Sequence, residues 1–291
     1  MSFPTQRPAA QTVSFRGMNG LRLAADRWWA TEPQGTVFLL HGGGQTRHSW
    51  HGAGDRLCKA GWNTVSLDAR GHGDSEWAAD RNYRHDALVG DLLAVIDQVG
   101  DGPPVVVGAS MGGITGLVAA GEHPGAIRAL VLVDIVPRLE KAGVDRISSF
   151  MRAAPDGFAS LEEVAEAVHA YNPRRKRPAT IEGLKKNVRQ HENGRWYWHW
   201  DPGFMRPVEE MDEPNRALGY DRMMSAARRI DVPTLLIRGR QSDIVSMAGV
   251  EELLAAVPSA RFVDITGAGH MVAGDDNDVF GAAVVDFINH L

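Results

Sequence analysis

The segment Gly108-Ala109-Ser110-Met111-Gly112 sets a hydroxyl between two glycines, each two residues away. The apolar run Pro104-Val105-Val106-Val107 precedes it, and a Gly/Ala-rich helical pattern over 113–120 follows. This arrangement predicts a nucleophile elbow, a sharp strand-to-helix turn that lifts a strained serine clear of a sheet edge. Strand and helix would pass so closely there that a Cβ at either glycine would obstruct them. A serine hydroxyl is a poor nucleophile at neutral pH. It needs a base to take its proton, and the base needs a carboxylate to fix its tautomer and stabilise its charged form.

In open α/β sheets the working groups lie beyond the carboxyl ends of the strands, so the partners are sought after late strands. Position selects among the 11 histidines. His270, in the flexible loop Thr266-Gly267-Ala268-Gly269-His270 after the last strand pattern, is the expected base. His41 and His72 stand beside glycines at strand ends and read as structural. His199 sits in an aromatic segment where it could line a pocket. Asp243, in the loop after the strand pattern 234–237, is the expected acid. Asp134, ending the pattern Leu130-Val131-Leu132-Val133, is its rival, and Asp264 lies inside or at the end of its own strand. Acyl transfer also needs two N–H groups for the developing oxyanion. One is expected from Met111, at a helix N-terminus whose dipole favours negative charge. The other is expected from His41-Gly42-Gly43-Gly44, with Gly43 as first choice and Gly44 as second and as a substrate contact.

A mostly parallel sheet must hold these groups. Residues 11–30 read as a strand pair around a turn at Asn19-Gly20. Short apolar runs at 36–40, 63–67, 105–107 and 127–133 alternate with helical patterns at 50–60 and 86–99, which implies right-handed crossovers. From 136 to 230 the rhythm breaks into helical patterns, among them 161–170 and 181–190, with no buried-strand signature. It resumes with a strand at 232–237, a helix at 247–256, a strand at 261–265 and a closing helix at 279–291. The expected organisation is an α/β core of 1–135 and 231–291, interrupted by a mainly helical insertion of 136–230.

The order Ser110, Asp243, His270 behind an early His-Gly loop resembles the α/β-hydrolase superfamily. Leu67-Asp68-Ala69-Arg70-Gly71-His72-Gly73-Asp74-Ser75 is similar to the loop after that family's fourth strand. The resemblance covers nearly the whole chain outside the insertion. It implies a mostly parallel eight-stranded sheet, with the insertion as a cap over the nucleophile. Epoxide hydrolases and haloalkane dehalogenases of this fold use aspartate at the elbow, so Ser110 points instead to acyl transfer. The expected activity is hydrolysis of a small-molecule carboxylic ester, with no metal or organic cofactor. C–C bond hydrolases, lactonases, amidases and cofactor-free perhydrolases share the constellation, as do ligand receptors of the same fold. In the cap, Trp196, Trp198 and Trp200 are the expected substrate wall, with Tyr197 beside them. A short strand that packs the cap is the competing explanation of that alternation. Met151, Met205, Met223 and Met224 could line the pocket or fill the core.

Composition narrows the class further. The chain has 291 residues, 44% hydrophobic and 23% charged, with a net charge of −5. That is globular material with no preference for a polyanion. The basic run Arg174-Arg175-Lys176-Arg177, followed by Lys185-Lys186, reads as a solvated surface. No Gly-x-Gly-x-x-Gly follows a strand pattern, which argues against dinucleotide binding. The single cysteine, Cys58, allows no internal disulfide and suits a buried core position. The first residues lack a signal-peptide core, and no stretch of 18 apolar residues exists. A cytoplasmic protein without membrane or nucleic-acid partners is expected, of open oligomeric state.

Overall fold

The computed structural model describes residues 10–171, 181–205, 213–271 and 277–291. The basic run at 174–177 and the first nine residues lie outside them. Strand β1 (Gln11–Arg16) turns through Asn19 and Gly20, both at positive φ, into β2 (Arg22–Trp28). Then follow β3 (Thr36–Leu40), α1 (His51–Lys59), β4 (Asn63–Leu67), α2 (His85–Val99), β5 (Val105–Ala109), α3 (Met111–Glu122) and β6 (Ala129–Val133). These join one eight-stranded sheet with β9 (Thr234–Gly239) and β10 (Arg261–Ile265), in the order β1-β2-β4-β3-β5-β6-β9-β10. Only the pairs β1·β2 and β2·β4 are antiparallel.

Strands β3 to β6 are buried at every position, as strands covered on both faces must be. One apolar layer, with Leu92, Leu117, Leu132 and Leu253, fills the face under α2, α3 and α7 (Met247–Ala256). The other, with Trp50, Leu57, Val107 and Phe280, lies under α1 and α8 (Gly281–Ile288). Cys58 is buried. Among the described residues no helix is long and apolar enough to cross a membrane.

The insertion has its own core. Helices α4 (Lys141–Met151) and α5 (Leu161–Tyr171) pack Phe150, Val164 and Val168 against Trp198 and Trp200. The helix expected over 181–190 is instead a 3₁₀ turn, Glu182–Lys186, followed by strand β7 (Val188–Gln190). That strand pairs antiparallel with β8 (Trp196–Trp198), Val188 opposite Trp198, around a turn whose Gly194 is at φ 77°. The Trp-Tyr-Trp run has strong strand preference, and pairing with it overrides the local helical pattern. The last helix of the span, α6 (Glu213–Ala227), packs on the core rather than on the cap. A Cβ on Gly121 of α3 would run into the backbone of Ala226, and Arg222 binds Glu122 through Nε and Nη2 at 2.7–2.8 Å. Within the span 136–230, α6 is thus the element that packs on α3 of the core.

Candidate active site

Ser110 stands between β5 and α3 at φ 47°, ψ −114°, a conformation that side-chain-bearing residues rarely adopt. Its N–H is held by the Val133 carbonyl at 3.1 Å. A Cβ on Gly108 would meet the backbone of Gly112, and one on Gly112 would meet the backbone of Leu40. Both flanking glycines are therefore sterically required for the turn.

His270 arrives from the loop after β10 and is buried. Its Nδ1–H donates to Asp134 Oδ2 at 2.7 Å. Asp134 follows β6 directly, at φ 50°. It also accepts from the Gly239 N–H at 2.9 Å and from the Ser242 hydroxyl at 2.7 Å. Its carboxylate is 3% exposed and has three donors, which is what a buried charge requires. With an acceptor fixed at Nδ1, the neutral ring keeps its lone pair at Nε2.

The structure does not bring Asp243 to His270. The Asp243 carboxylate pairs with Arg146 at 2.8 Å on an exposed surface. The loop after β9 contributes Ser242 to the site instead, as a donor to Asp134. The reason is topological. Strands β6 and β9 are parallel neighbours with Val133 opposite Ile237, so side chains after either strand reach the same place on the sheet edge. Asp264 stays in β10, facing Arg238 and Arg240.

The glycine loop after β3 abuts the serine, since a Cβ on Gly42 would lie 3.3 Å from Ser110 Cβ. Three backbone N–H groups in this loop have acceptors. That of Gly42 goes to Gln45 Oε1 at 3.0 Å, that of Gly44 to His72 Nε2 at 3.2 Å, and that of Gln45 to the Gly42 carbonyl at 3.1 Å. Among the described residues, the Gly43 N–H meets no acceptor. Its peptide is clamped from the other side, because the Gly42 carbonyl also accepts His41 Nδ1–H at 2.8 Å. Across a trans peptide the Gly43 N–H then points the opposite way. At the head of α3, the Gly112 N–H goes to the His41 carbonyl at 3.2 Å, while that of Met111 meets no acceptor among the described residues. Both N–H groups singled out in the sequence are left unspent. Gly44, by contrast, has committed its own.

Apolar side chains of the insertion cover this loop. Trp200 and Met151 lie 3.3 Å from where a Cβ on Gly44 would stand, and Phe204 lies 3.6 Å from the same point on Gly43. Gly44 is at φ 75°, which favours glycine there for a second reason. Trp198 stacks behind Trp200, with ring centroids 4.8 Å apart, and sits in the cap core. Trp196 pairs its backbone with Phe158. Of the three tryptophans, Trp200 is the one whose ring meets the glycine loop. Phe204 was not foreseen. Its only sequence signal is an aromatic two residues after the turn-forming Pro202.

His41 and His72 are both buried and neutral. Each donates Nδ1–H to a carbonyl (of Gly42 and Arg70) and accepts an amide N–H at Nε2 (of Ala69 and Gly44). Burial, the dominant cause, pushes His41 down to about 4 and His72 down to about 3, from an ordinary 6.5. Unfolded, each ring takes its proton near pH 6.5; folded, it resists until about 4 or 3. Between those values the unfolded chain binds more protons. This stability is therefore complete above pH 6.5 and drains as the pH falls. At about 1.4 kcal/mol per pKa unit, each ring contributes on the order of 3 kcal/mol. The thermal midpoint is expected to drop by about 5–10 °C from neutral to mildly acidic buffer. A midpoint that stayed flat over that range in a calorimetric series would contradict the assignment of both rings as buried and neutral.

A family model described as the alpha/beta hydrolase fold matches residues 35–276. The chain is 27% identical over 267 residues to a 3-hydroxybutyrate-oligomer hydrolase of Cupriavidus necator, covering 89% of this chain and 90% of that one. It is 28% identical over 260 residues to the esterase Rv0045c of Mycobacterium tuberculosis, covering 87% and 82%. A crystal structure of an alpha/beta hydrolase from Novosphingobium aromaticivorans superposes with a TM-score of 0.78 at 22% identity, over 97% of this chain and 99% of that one.

Proposed function

Given that the chain belongs to the alpha/beta hydrolase fold family, we propose that it is a serine hydrolase of carboxylic esters with small to medium, apolar groups. One observation carries the reading. The Asp134–His270 pair lies at the strand end next to Ser110, and Gly43 and Met111 each leave an N–H unspent beside that serine.

In this mechanism His270 Nε2 takes the Ser110 hydroxyl proton as Oγ attacks the ester carbonyl carbon. The carbonyl π electrons move to oxygen, and the oxyanion is held by the N–H groups of Gly43 and Met111. Asp134 keeps the imidazole in the required tautomer and stabilises the imidazolium. As the tetrahedral centre collapses, the C–O bond to the alcohol breaks and the alkoxide leaves with the proton from His270. A water then gives its proton to His270 and attacks the acyl carbon, which releases the acid and restores Ser110. Trp200, Met151 and Phe204 give the acyl side an apolar wall. The naming of one relative as an esterase supports the choice of bond.

The test is p-nitrophenyl butyrate set against the matching p-nitroanilide. The ester is expected to have the higher kcat/KM by at least about a hundredfold, equivalent to about 2.7 kcal/mol of barrier. An anilide turned over as fast as the ester would overturn the assignment in favour of amide hydrolysis.

A further inference from the structure

His72 occupies a junction that the mechanism above does not use. It is fully buried, in the loop after β4. Its backbone neighbours hold the cap: the Gly73 N–H donates to the His199 carbonyl, and the Asp201 N–H to the Gly71 carbonyl, both at 2.8 Å. His72 and Trp200 face each other as a bridge pair between these segments. The Phe204 ring meets the imidazole edge-on at 4.9 Å. On its other side, Nε2 accepts the Gly44 N–H. One side chain thus touches both the cap and the glycine loop.

The ring's bonding leaves it a single working form. The Arg70 carbonyl can only accept, so Nδ1 carries the hydrogen; the Gly44 amide can only donate, so Nε2 must be bare. This acceptor fixes the peptide between Gly43 and Gly44. Gln45 fixes the peptide before Gly42, and the unspent Gly43 N–H lies between the two clamps. Without the Nε2 acceptor, Gly44 would carry an unsatisfied buried N–H. The loop could then recover a partner by turning about Gly43, and because the Gly42–Gly43 peptide is held at its carbonyl alone, by His41 and Gln45, such a turn displaces the Gly43 N–H. Three glycines in a row offer little resistance to such a turn.

We infer that His72 is a positioning residue: its neutral imidazole transmits the seating of the cap to the oxyanion-binding N–H of Gly43. The inference rests on the acyl-transfer reading. It assigns His72 no contact with the reacting atoms and no proton transfer.

The experiment compares wild type, His72→Leu and His72→Gln in p-nitrophenyl butyrate hydrolysis, with kcat and KM separated and thermal midpoints measured alongside. Leucine keeps the bulk and removes the acceptor, whereas glutamine can return an amide oxygen near the Nε2 position. A fully removed oxyanion donor costs about 10²–10³-fold in kcat, and a misdirected one costs less. His72→Leu is therefore expected to lose kcat by about 10- to 100-fold with KM within about threefold. His72→Gln is expected to recover most of that loss. If the leucine variant does not fold, His72→Asn replaces it. Its shorter amide can keep the Arg70 bond but stops short of Gly44, and the same loss of kcat is expected. Unchanged kcat in the acceptor-less variant overturns the inference, as does an equal loss in the glutamine variant that tracks its thermal midpoint. Absence of wild-type turnover is a separate result, which overturns the acyl-transfer reading and this inference with it.

Discussion

Asp134→Asn lowers kcat for p-nitrophenyl butyrate by about 10⁴-fold, while Asp243→Asn leaves it within about threefold; this is the expected outcome of the geometry at the sheet edge. Asp134 Oδ2 accepts from both His270 Nδ1 and Ser242. An asparagine that keeps the Gly239 N–H bond at its oxygen must turn its NH₂ toward His270. The imidazole then carries its hydrogen on the wrong nitrogen and cannot take a proton from the serine. The fold should survive, since the shape is conserved and Gly239 keeps its acceptor. Asp243 loses only an ion pair with Arg146, whose side chain is 49% exposed, and such pairs contribute about 0–1 kcal/mol. Steady-state rates of the two purified variants decide the matter. Loss in Asp243→Asn with Asp134→Asn intact would return the acid to the loop after β9.

Ser110→Ala removes the attacking atom, and kcat is expected to fall by at least about 10⁴-fold, to what the oxyanion donors and binding alone can supply. The backbone strain at φ 47° gives this substitution a built-in control. Alanine suffers the same strain as serine, so the unfolding midpoint should barely move. Glycine relieves it, so Ser110→Gly should be more stable by about 1–2 kcal/mol while remaining equally inactive. Inactivity without destabilisation excludes unfolding as the cause. Turnover near wild type in the purified alanine variant would remove Ser110 from the chemistry.

The legible parts of the chain are those where local pattern and burial agree. Helix α7 and strand β10 begin and end where the residue pattern sets them, and β3 and β4 match the runs at 36–40 and 63–67. A strand covered on both faces reads as an unbroken apolar run, whatever its neighbours are. The elbow was legible for a related reason, because two glycines two residues either side of Ser110 answer a steric demand made within a few residues. The carboxylate partner of His270 was not legible, because β6 and β9 end side by side and sequence order does not say which of two adjacent loops faces His270. Asp134 was visible only as an aspartate directly ending a buried strand. The choice between Gly43 and Gly44 depends on Gln45, His41 and His72, three side chains that meet the loop through the fold. Ile181 to Gln190 followed a helical pattern, but Val188 found Trp198. The seat of α6 on α3 rests on a contact between Gly121 and Ala226, more than a hundred residues apart in the chain, which periodicity cannot carry.

The most direct measurement uses diethyl p-nitrophenyl phosphate, whose phosphorus meets the nucleophile as an ester carbonyl carbon would but leaves an adduct that water removes slowly. Incubation with the wild-type protein is expected to release one equivalent of p-nitrophenol and to extinguish ester hydrolysis. Peptide mapping should then find a single diethylphosphoryl group on Ser110, and Ser110→Ala should take up none. Retention of full ester hydrolysis, or an adduct on any other residue accompanying its loss, would contradict the account.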